Sequence, residues 1–281
     1  MSGQRCRICG RNISRLFSQR GFEVWSCACC GFISMAPIGD VAPVDYDRLY
    51  GEAYYGRGER SPDSISRYDL ANILETKLPQ ARDALRLIAQ CRQFRAGARL
   101  LDVGCSVGVF LKAAGEAGFR AVGLDISPVA TRYARESFGV DARTGTLETF
   151  DLAGERFDVV TMWDVLEHLE DPWRAMERVN KLLAPGGLVA LRTPNAKSLR
   201  PRLFGFAGWD MISPPEHYHL FARKSLQLFL SQFGYRVVKL MTVHSNWIYY
   251  RRSNRLVKLP FRLSGALGLG GDLVAVAERA A

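Results

Sequence analysis

Three groups of residues carry types and spacings suited to chemistry. The first is Cys6-x2-Cys9 and Cys27-x2-Cys30, separated by 17 residues. Two short turns of that form place four thiolates at tetrahedral corners, which suits Zn2+ and leaves no coordination position open for substrate, so a structural role is expected. Cys29 competes with Cys30 for the fourth place, although Cys30-Gly31 better fits a knuckle turn. Disulfides are the alternative, disfavoured in a chain whose start lacks the apolar core of a secretion signal.

The second group is Leu100-Leu101-Asp102-Val103-Gly104-Cys105-Ser106-Val107-Gly108, read as a strand ending in an acid, a turn of small residues and a helix start. Ligands of doubly wound sheets bind over the carboxyl ends of strands, so this turn is expected to touch a cofactor. The G-x-x-x-G spacing is neither the G-x-G-x-x-G of dinucleotide sites nor a phosphate cradle. An acid closing the strand suits a ligand with an ammonium group. Asp125 ends the next strand, where a carboxylate can accept both hydroxyls of a ribose.

The third group is His168, just beyond Asp164-Val165-Leu166-Glu167, together with Glu216-His217-Tyr218-His219 and the pair Tyr54-Tyr55. Three of the four histidines fall here, and imidazole titrates near neutrality, so each is a candidate base or orienting group. Plainer roles are also open: a helix-start contact for His168 and a satisfied core position for His219.

The elements that must position these groups follow from periodicity. From Ser66 to Arg92 apolar residues recur at helical spacing, and Pro79 predicts a break into two helices. Strand and helix patterns then alternate to the carboxyl terminus. The uniformly apolar Val159-Val160 and Leu188-Val189-Ala190-Leu191 imply strands covered on both faces. The fold class expected is α/β, a Rossmann-like doubly wound, mostly parallel seven-stranded sheet with a small amino-terminal zinc ribbon. The expected division is 1–34 for the ribbon, 35–65 for a Gly-, Pro-, Tyr- and Asp-rich linker over the substrate side, and 66–281 for the main domain, with an insertion at about 246–270.

The 281 residues, 48% hydrophobic and 23% charged, exclude a collagenous or wholly disordered chain. No apolar run reaches the roughly 18 residues that span a bilayer, and a cytoplasmic location is expected. The net charge of +10 is unevenly placed: no Asp or Glu occurs from His217 to Gly271. That asymmetry favours an anionic partner. Within it, residues 246–263 combine aromatics, aliphatics and basic residues in a segment expected to form an amphipathic helix stopped by Pro260. Such a face suits an acidic membrane surface, at the periphery of the inner leaflet, or a phosphorylated acceptor, or else it packs on the core.

LLDVGCSVGVFL, VGLDIS, FDVVTMWDVLEHLEDP and LLAPGGLVALRTPN resemble, in order and spacing, the successive motifs of class I S-adenosylmethionine-dependent methyltransferases, closely over residues 95–195. The resemblance implies that Asp102 and Gly104 lie against the methionine part of the cofactor, that Cys105 and Gly108 shape the loop, and that Asp125 holds the ribose. It further implies that Leu147-Glu148 lie near the adenine and that Met162-Trp163 border the methyl sulfonium. Ser106 stands where glycine is more common.

The ribbon, Tyr54-Tyr55, His168 and Glu216-His217 together are similar to the zinc-containing nucleotide-sugar C-methyltransferases, in which the matching groups surround the acceptor. This chain departs from them by stopping after the strand at 272–278, without their additional carboxyl-terminal domain, so O-methylation of a glycan, lipid-linked or secondary-metabolite hydroxyl is equally implied. The rival enzyme class is an RNA base methyltransferase using ribbon and basic surface. Against it, Met162-Trp163-Asp164-Val165 is not the Asn/Asp-Pro-Pro-aromatic clamp common in base-amino methylation, and a small-molecule acceptor is expected rather than nucleic acid. A cofactor-binding regulator is the non-enzymatic alternative.

Overall fold

Seven strands make the central sheet of the computed structural model, which describes residues 4–39, 50–51, 70, 72–150, 154–244 and 264–280. Along the chain the strands are β1 (Ser14–Gln19), β2 (Phe22–Ser26), β3 (Ile33–Pro37), β4 (Arg99–Val103), β5 (Arg120–Asp125) and β6 (Asp141–Thr144). They continue with β7 (Phe157–Trp163), β8 (Leu183–Pro194), β9 (His219–Leu220), β10 (Tyr235–Val243) and β11 (Asp272–Arg279). The large sheet has the order β10-β11-β8-β7-β4-β5-β6, and a four-stranded sheet has the order β1-β2-β3-β9. The expected α/β class, with its seven-stranded Rossmann-like sheet, is the observed one. Among the described residues no helix is long and apolar enough to cross a membrane.

The chain divides into two compact units, Met1–Pro43 with Trp163–Met176 and Leu191–Ala280, and Val44–Met162 with Glu177–Ala190. In the second unit β4 runs parallel to β5 and β7, pairing Leu101 with Val122 and Val160. Leu100, Leu101, Asp102 and Val103 are all buried, as a strand sandwiched between helices requires. Helix α2 (Val109–Glu116) follows β4 and buries Val109, Phe110, Leu111, Ala113 and Ala114. Helix α3 (Pro128–Phe138) follows β5. Ser127 caps it by accepting the Ala130 N–H at 3.3 Å, Pro128 occupies its first turn, and Gly139 at φ 63° ends it.

In the first unit the antiparallel ribbon β1-β2-β3 is continued by β9 from far along the chain, pairing Ile33 with Leu220 and Ser34 with His219. Helix α5 (Leu199–Phe204) precedes β9 and helix α6 (Arg223–Gln232) follows it, and the antiparallel β10–β11 pair carries a bulge between Val237 and Lys239.

Helix α1 (Ile73–Cys91) runs through Pro79 without ending. The proline forfeits the bond its missing N–H would give to Glu75, but Ile73, Ala81, Leu85 and Ile88 are buried along one side, and tertiary packing outweighs the local break. Tyr54, Tyr55 and residues 245–263, the greater part of the expected insertion, lie outside the described residues.

Candidate functional site

The four cysteines come from two turns of matching backbone. Cys6 N–H donates to the Arg11 carbonyl and accepts Gly10 N–H at its own; Cys27 does the same with Phe32 and Gly31. Gly10 and Gly31 sit at φ 69° and 77°, a conformation that favours glycine. Cys6 and Cys30 Sγ are 3.6 Å apart, Cys9 and Cys27 Sγ 3.4 Å, and all four lie within 4.8 Å of one another. A Zn–S bond of about 2.3 Å puts tetrahedral sulfurs about 3.8 Å apart, whereas a disulfide needs about 2.05 Å, so the donor set fits zinc. Burial works against a thiolate at Cys27, but the backbone N–H groups of Cys30 and Cys29 and the neighbouring thiols outweigh it and hold this group down at about 7. Cys29 is exposed and meets Lys224, whose Nζ donates to its carbonyl at 2.9 Å. Cys30, not Cys29, completes the cluster.

Helix α4 (Pro172–Leu182) and α6 hold the ribbon in place. Phe32 stacks on His219 at 5.6 Å and meets Trp173 edge-on at 6.2 Å, and Arg7 lies 3.8 Å over the Trp173 ring. Gln232 donates to the Ile8 carbonyl while accepting Trp173 Nε1–H. His219 also binds the Glu170 carbonyl at 3.2 Å, and burial pushes its pKa down to about 4. It is a buried core residue with Nε2 paired and Nδ1 without a hydrogen-bond partner among the described residues, so the expectation of a fully satisfied position holds for one ring nitrogen only.

The loop after β4 is built around Asp125. Its Oδ2 accepts Ser106 N–H at 2.8 Å and its Oδ1 accepts Ser127 N–H at 2.9 Å. Burial raises the Asp125 pKa while these two donors oppose the rise. Gly104 and Gly108 adopt φ 74° and 80°, and Ser106 itself sits at 49°, a left-handed conformation that favours glycine. A Cβ on Gly108 would stand 2.6 Å from that of Ala134. Cys105 is buried with Leu111, Ala134 and Ala142, and burial drives its thiol pKa well up, so it is packing rather than chemistry.

Asp102 is 1% exposed and accepts Thr161 Oγ1–H at 2.6 Å; burial pushes its pKa up to about 7, against the hydroxyl and with the charge of Asp125. Ser106 Oγ is buried with no hydrogen-bond partner among the described residues. A fixed carboxylate, a buried acid and an orphaned hydroxyl around one glycine-rich loop fit a ligand with ribose and ammonium groups. Leu147 is buried, its carbonyl accepting from Arg178, and Glu148 is exposed. Met162 is fully buried and Trp163 half-buried at the end of β7.

Two of the candidate histidines are brought together. His168 and His217 rings are 4.7 Å apart at 59°. His168 Nδ1 is 2.7 Å from the Glu216 carbonyl and His217 Nδ1 is 2.7 Å from that of Met211. A carbonyl only accepts, so each Nδ1 carries the proton and the lone pair of the neutral ring belongs to Nε2. Burial, with the neighbouring His217, pushes the His168 pKa down to about 4. The Glu216 carboxylate accepts Ser213 Oγ–H at 3.2 Å.

Two acidic partners escaped the sequence reading. Asp164, at φ 57°, is gripped by both arms of Arg192, one bond being 2.6 Å. Glu167 lies 1% exposed beside Thr193, with Oε1 4.0 Å from His168 Nε2. An arginine inside the apolar run of β8 was the available signal, since a charge in a covered strand demands a counter-charge.

A segment of 130 residues is 38% identical to a ubiquinone biosynthesis O-methyltransferase of Cereibacter sphaeroides, covering 44% of this chain and 52% of that protein. A counterpart from Xanthomonas oryzae is 38% identical over 108 residues, or 36% and 44% of the two chains. The chain thus spans about half the length of the curated relatives it matches. Among solved structures, magnesium protoporphyrin IX methyltransferase from Synechocystis superposes with a TM-score of 0.53 at 18% identity over 84% of this chain and 94% of that one. A methyltransferase from Mesorhizobium loti gives 0.52 at 20% identity over 72% and 97%; both show the fold. The family model for a methyltransferase domain matches residues 74–240, more than half of the sequence, and the chain belongs to that family.

Proposed function

We propose that the protein is an S-adenosylmethionine-dependent methyltransferase whose acceptor is a small molecule, methylated at a hydroxyl oxygen or at a carbon beside a carbonyl. The observation that carries the acceptor side is the His168–His217 pair, two imidazoles locked through Nδ1 and converging at 4.7 Å. The O-methyltransferase names of the matching relatives support oxygen. The four-cysteine cluster with Glu216-His217 supports a sugar-type acceptor, by resemblance to the zinc-containing nucleotide-sugar C-methyltransferases.

When bound, S-adenosylmethionine supplies an electrophilic methyl group on a sulfonium. Asp125 orients the ribose through lone pairs not used by Ser106 and Ser127, and Asp102 receives the ammonium group. Alignment of donor and nucleophile supplies much of the rate in such a displacement. The acceptor's proton must also leave. With Nδ1–H donated to a carbonyl, the neutral imidazole of His217 takes that proton at Nε2, and His168, whose low pKa keeps it neutral, accepts a hydrogen bond from the acceptor. Tyr54-Tyr55 complete the acceptor side on the strength of the family resemblance alone.

The test is methyl transfer from labelled cofactor to a panel of nucleotide sugars, phenols and lipid-linked glycans, read as the mass gain of one CH2. Label entering only RNA overturns the small-molecule assignment.

A further inference from the structure

Thr161 sits 0% exposed in β7, between Val160 and Met162, which are equally buried. A hydroxyl in such a place needs a partner. The parallel register sets Thr161 beside Asp102 of β4, and Thr161 Oγ1–H donates to Asp102 Oδ1 at 2.6 Å. That is the length of a hydroxyl on an ionised carboxylate, about 2.5–2.7 Å. The Leu101 carbonyl, 3.4 Å away, is the poorer acceptor for the one proton. Among the described residues no hydrogen bond occupies Asp102 Oδ2. The two strand neighbours of Asp102, Gly123 and Thr161, carry no charge. The ionisable groups in its surroundings are Asp125, whose charge opposes ionisation of Asp102, and Cys105, whose burial keeps the thiol neutral. The Thr161 hydroxyl is what favours the ionised carboxyl against both burial and Asp125.

We propose that Thr161 is a positioning residue for cofactor capture, acting through Asp102: its hydroxyl holds Oδ1 and leaves Oδ2 as the acceptor for the ammonium group. Fully covered, Thr161 does not touch the ligand itself. Its hydroxyl fixes the rotation of the carboxyl and keeps the proton off an acid that burial would otherwise hold protonated. A protonated carboxyl would turn a donor toward an ammonium group, which has only donors to offer. The ammonium assignment rests on the methyl-transfer reading; the hold of Thr161 on Asp102 does not.

The experiment titrates the full chain, ligand-free and isotope-labelled at the aspartate carboxyl carbons, by NMR. The Asp102 resonance is the one missing from Asp102→Asn. Thr161→Val nearly keeps the volume and removes the hydroxyl, and should raise the Asp102 midpoint by roughly one to two pH units, the worth of a hydrogen bond to a charged group. Thr161→Ser retains a hydroxyl and should bring the midpoint back toward that of the unmodified protein. In calorimetry S-adenosylmethionine should bind Thr161→Val about tenfold more weakly at neutral pH, with the deficit closing as pH rises through the new midpoint. A merely structural loss would lower affinity equally at every pH. The unmodified protein supplies a check free of substitution: its Thr161 hydroxyl proton should exchange slowly with water and shift with the same midpoint as the Asp102 carboxyl carbon. An unmoved midpoint in Thr161→Val, no recovery in Thr161→Ser, or a hydroxyl proton that ignores the Asp102 titration overturns the proposal. Because the titration contains no cofactor, its failure leaves the methyl-transfer reading standing. A midpoint that moves while the unmodified protein fails to bind S-adenosylmethionine overturns that reading and the ammonium role, and leaves the link between Thr161 and Asp102 intact.

Discussion

Ser34 of the cysteine-bearing sheet is the strand partner of His219, two residues beyond His217. The next links continue the same chain of backbone bonds: Met35 N–H donates to the Tyr218 carbonyl, and Tyr218 N–H donates to that of Glu167. The ribbon therefore holds the segment that carries His217 against the segment that carries Glu167 and His168. Metal binding, where it folds such a ribbon, becomes positional energy for His168 and His217.

Metal analysis is expected to find about one zinc per chain in the cysteine cluster. Cys27→Ser should lose it and depress turnover far more than cofactor affinity, because the ribbon braces the segment that carries His217. Cys29→Ser should keep the zinc, its sulfur being exposed and outside the cluster. Loss of zinc in Cys29→Ser with retention in Cys30→Ser would reverse the ligand assignment.

Asp125→Ala should weaken S-adenosylmethionine roughly 10- to 100-fold by calorimetry, at about 1.5–3 kcal/mol for a hydrogen bond to a charged group. The variant also frees Ser106 and Ser127 N–H, so loop order is lost with the ribose contact. Unchanged affinity sinks the assignment.

The pH dependence of cofactor binding should report Asp102. Burial raises its pKa from the usual carboxylate value to about 7, so below that pH the carboxyl is mostly protonated in the ligand-free protein. The ammonium group of the cofactor favours the ionised form, so binding releases a proton. Affinity should climb as pH rises toward 7 and level off above it, with a slope of at most tenfold per pH unit. In Asp102→Asn the slope should vanish and the affinity fall. A flat profile in the unmodified protein contradicts this role.

His217→Asn should lower turnover about 10²- to 10⁴-fold, the range for loss of a proton acceptor, with cofactor affinity within a factor of two or so of normal. His168→Asn should act mainly on KM for the acceptor. Full turnover in both variants removes the pair from the chemistry.

Gly123→Ala should destabilise the protein by about 1–3 kcal/mol, the usual penalty for overpacking. Its Cβ would stand 2.6 Å from Cys105 Sγ and 2.5 Å from Leu111 Cδ1, directly behind the cofactor loop. Thermal unfolding measures the loss, and an unchanged midpoint would mean the loop backs away at no cost.

Much of this protein is local and therefore legible from its sequence. Alternating strand and helix periods depend on which residues must be buried, and the Asp102–Gly108 turn, Asp125 and the two cysteine knuckles each need only a few neighbouring residues to set their geometry. Choices that rest on distant partners were not legible. Cys30 prevails over Cys29 because its turn aims Sγ at Cys6, while Cys29 faces Lys224 across 195 residues of chain. Pro79 reads as a helix break, yet buried contacts along α1 carry the helix through it. Glu167 reads as an ordinary acid before a histidine, and only tertiary packing sets it 4.0 Å from His168 in a cluster with Asp164, Arg192 and Asp272. His168 and His217 are separated by 48 intervening residues; what joins them is the bond from Tyr218 N–H to the Glu167 carbonyl and that from His168 Nδ1–H to the Glu216 carbonyl, long-range contacts that no local pattern specifies.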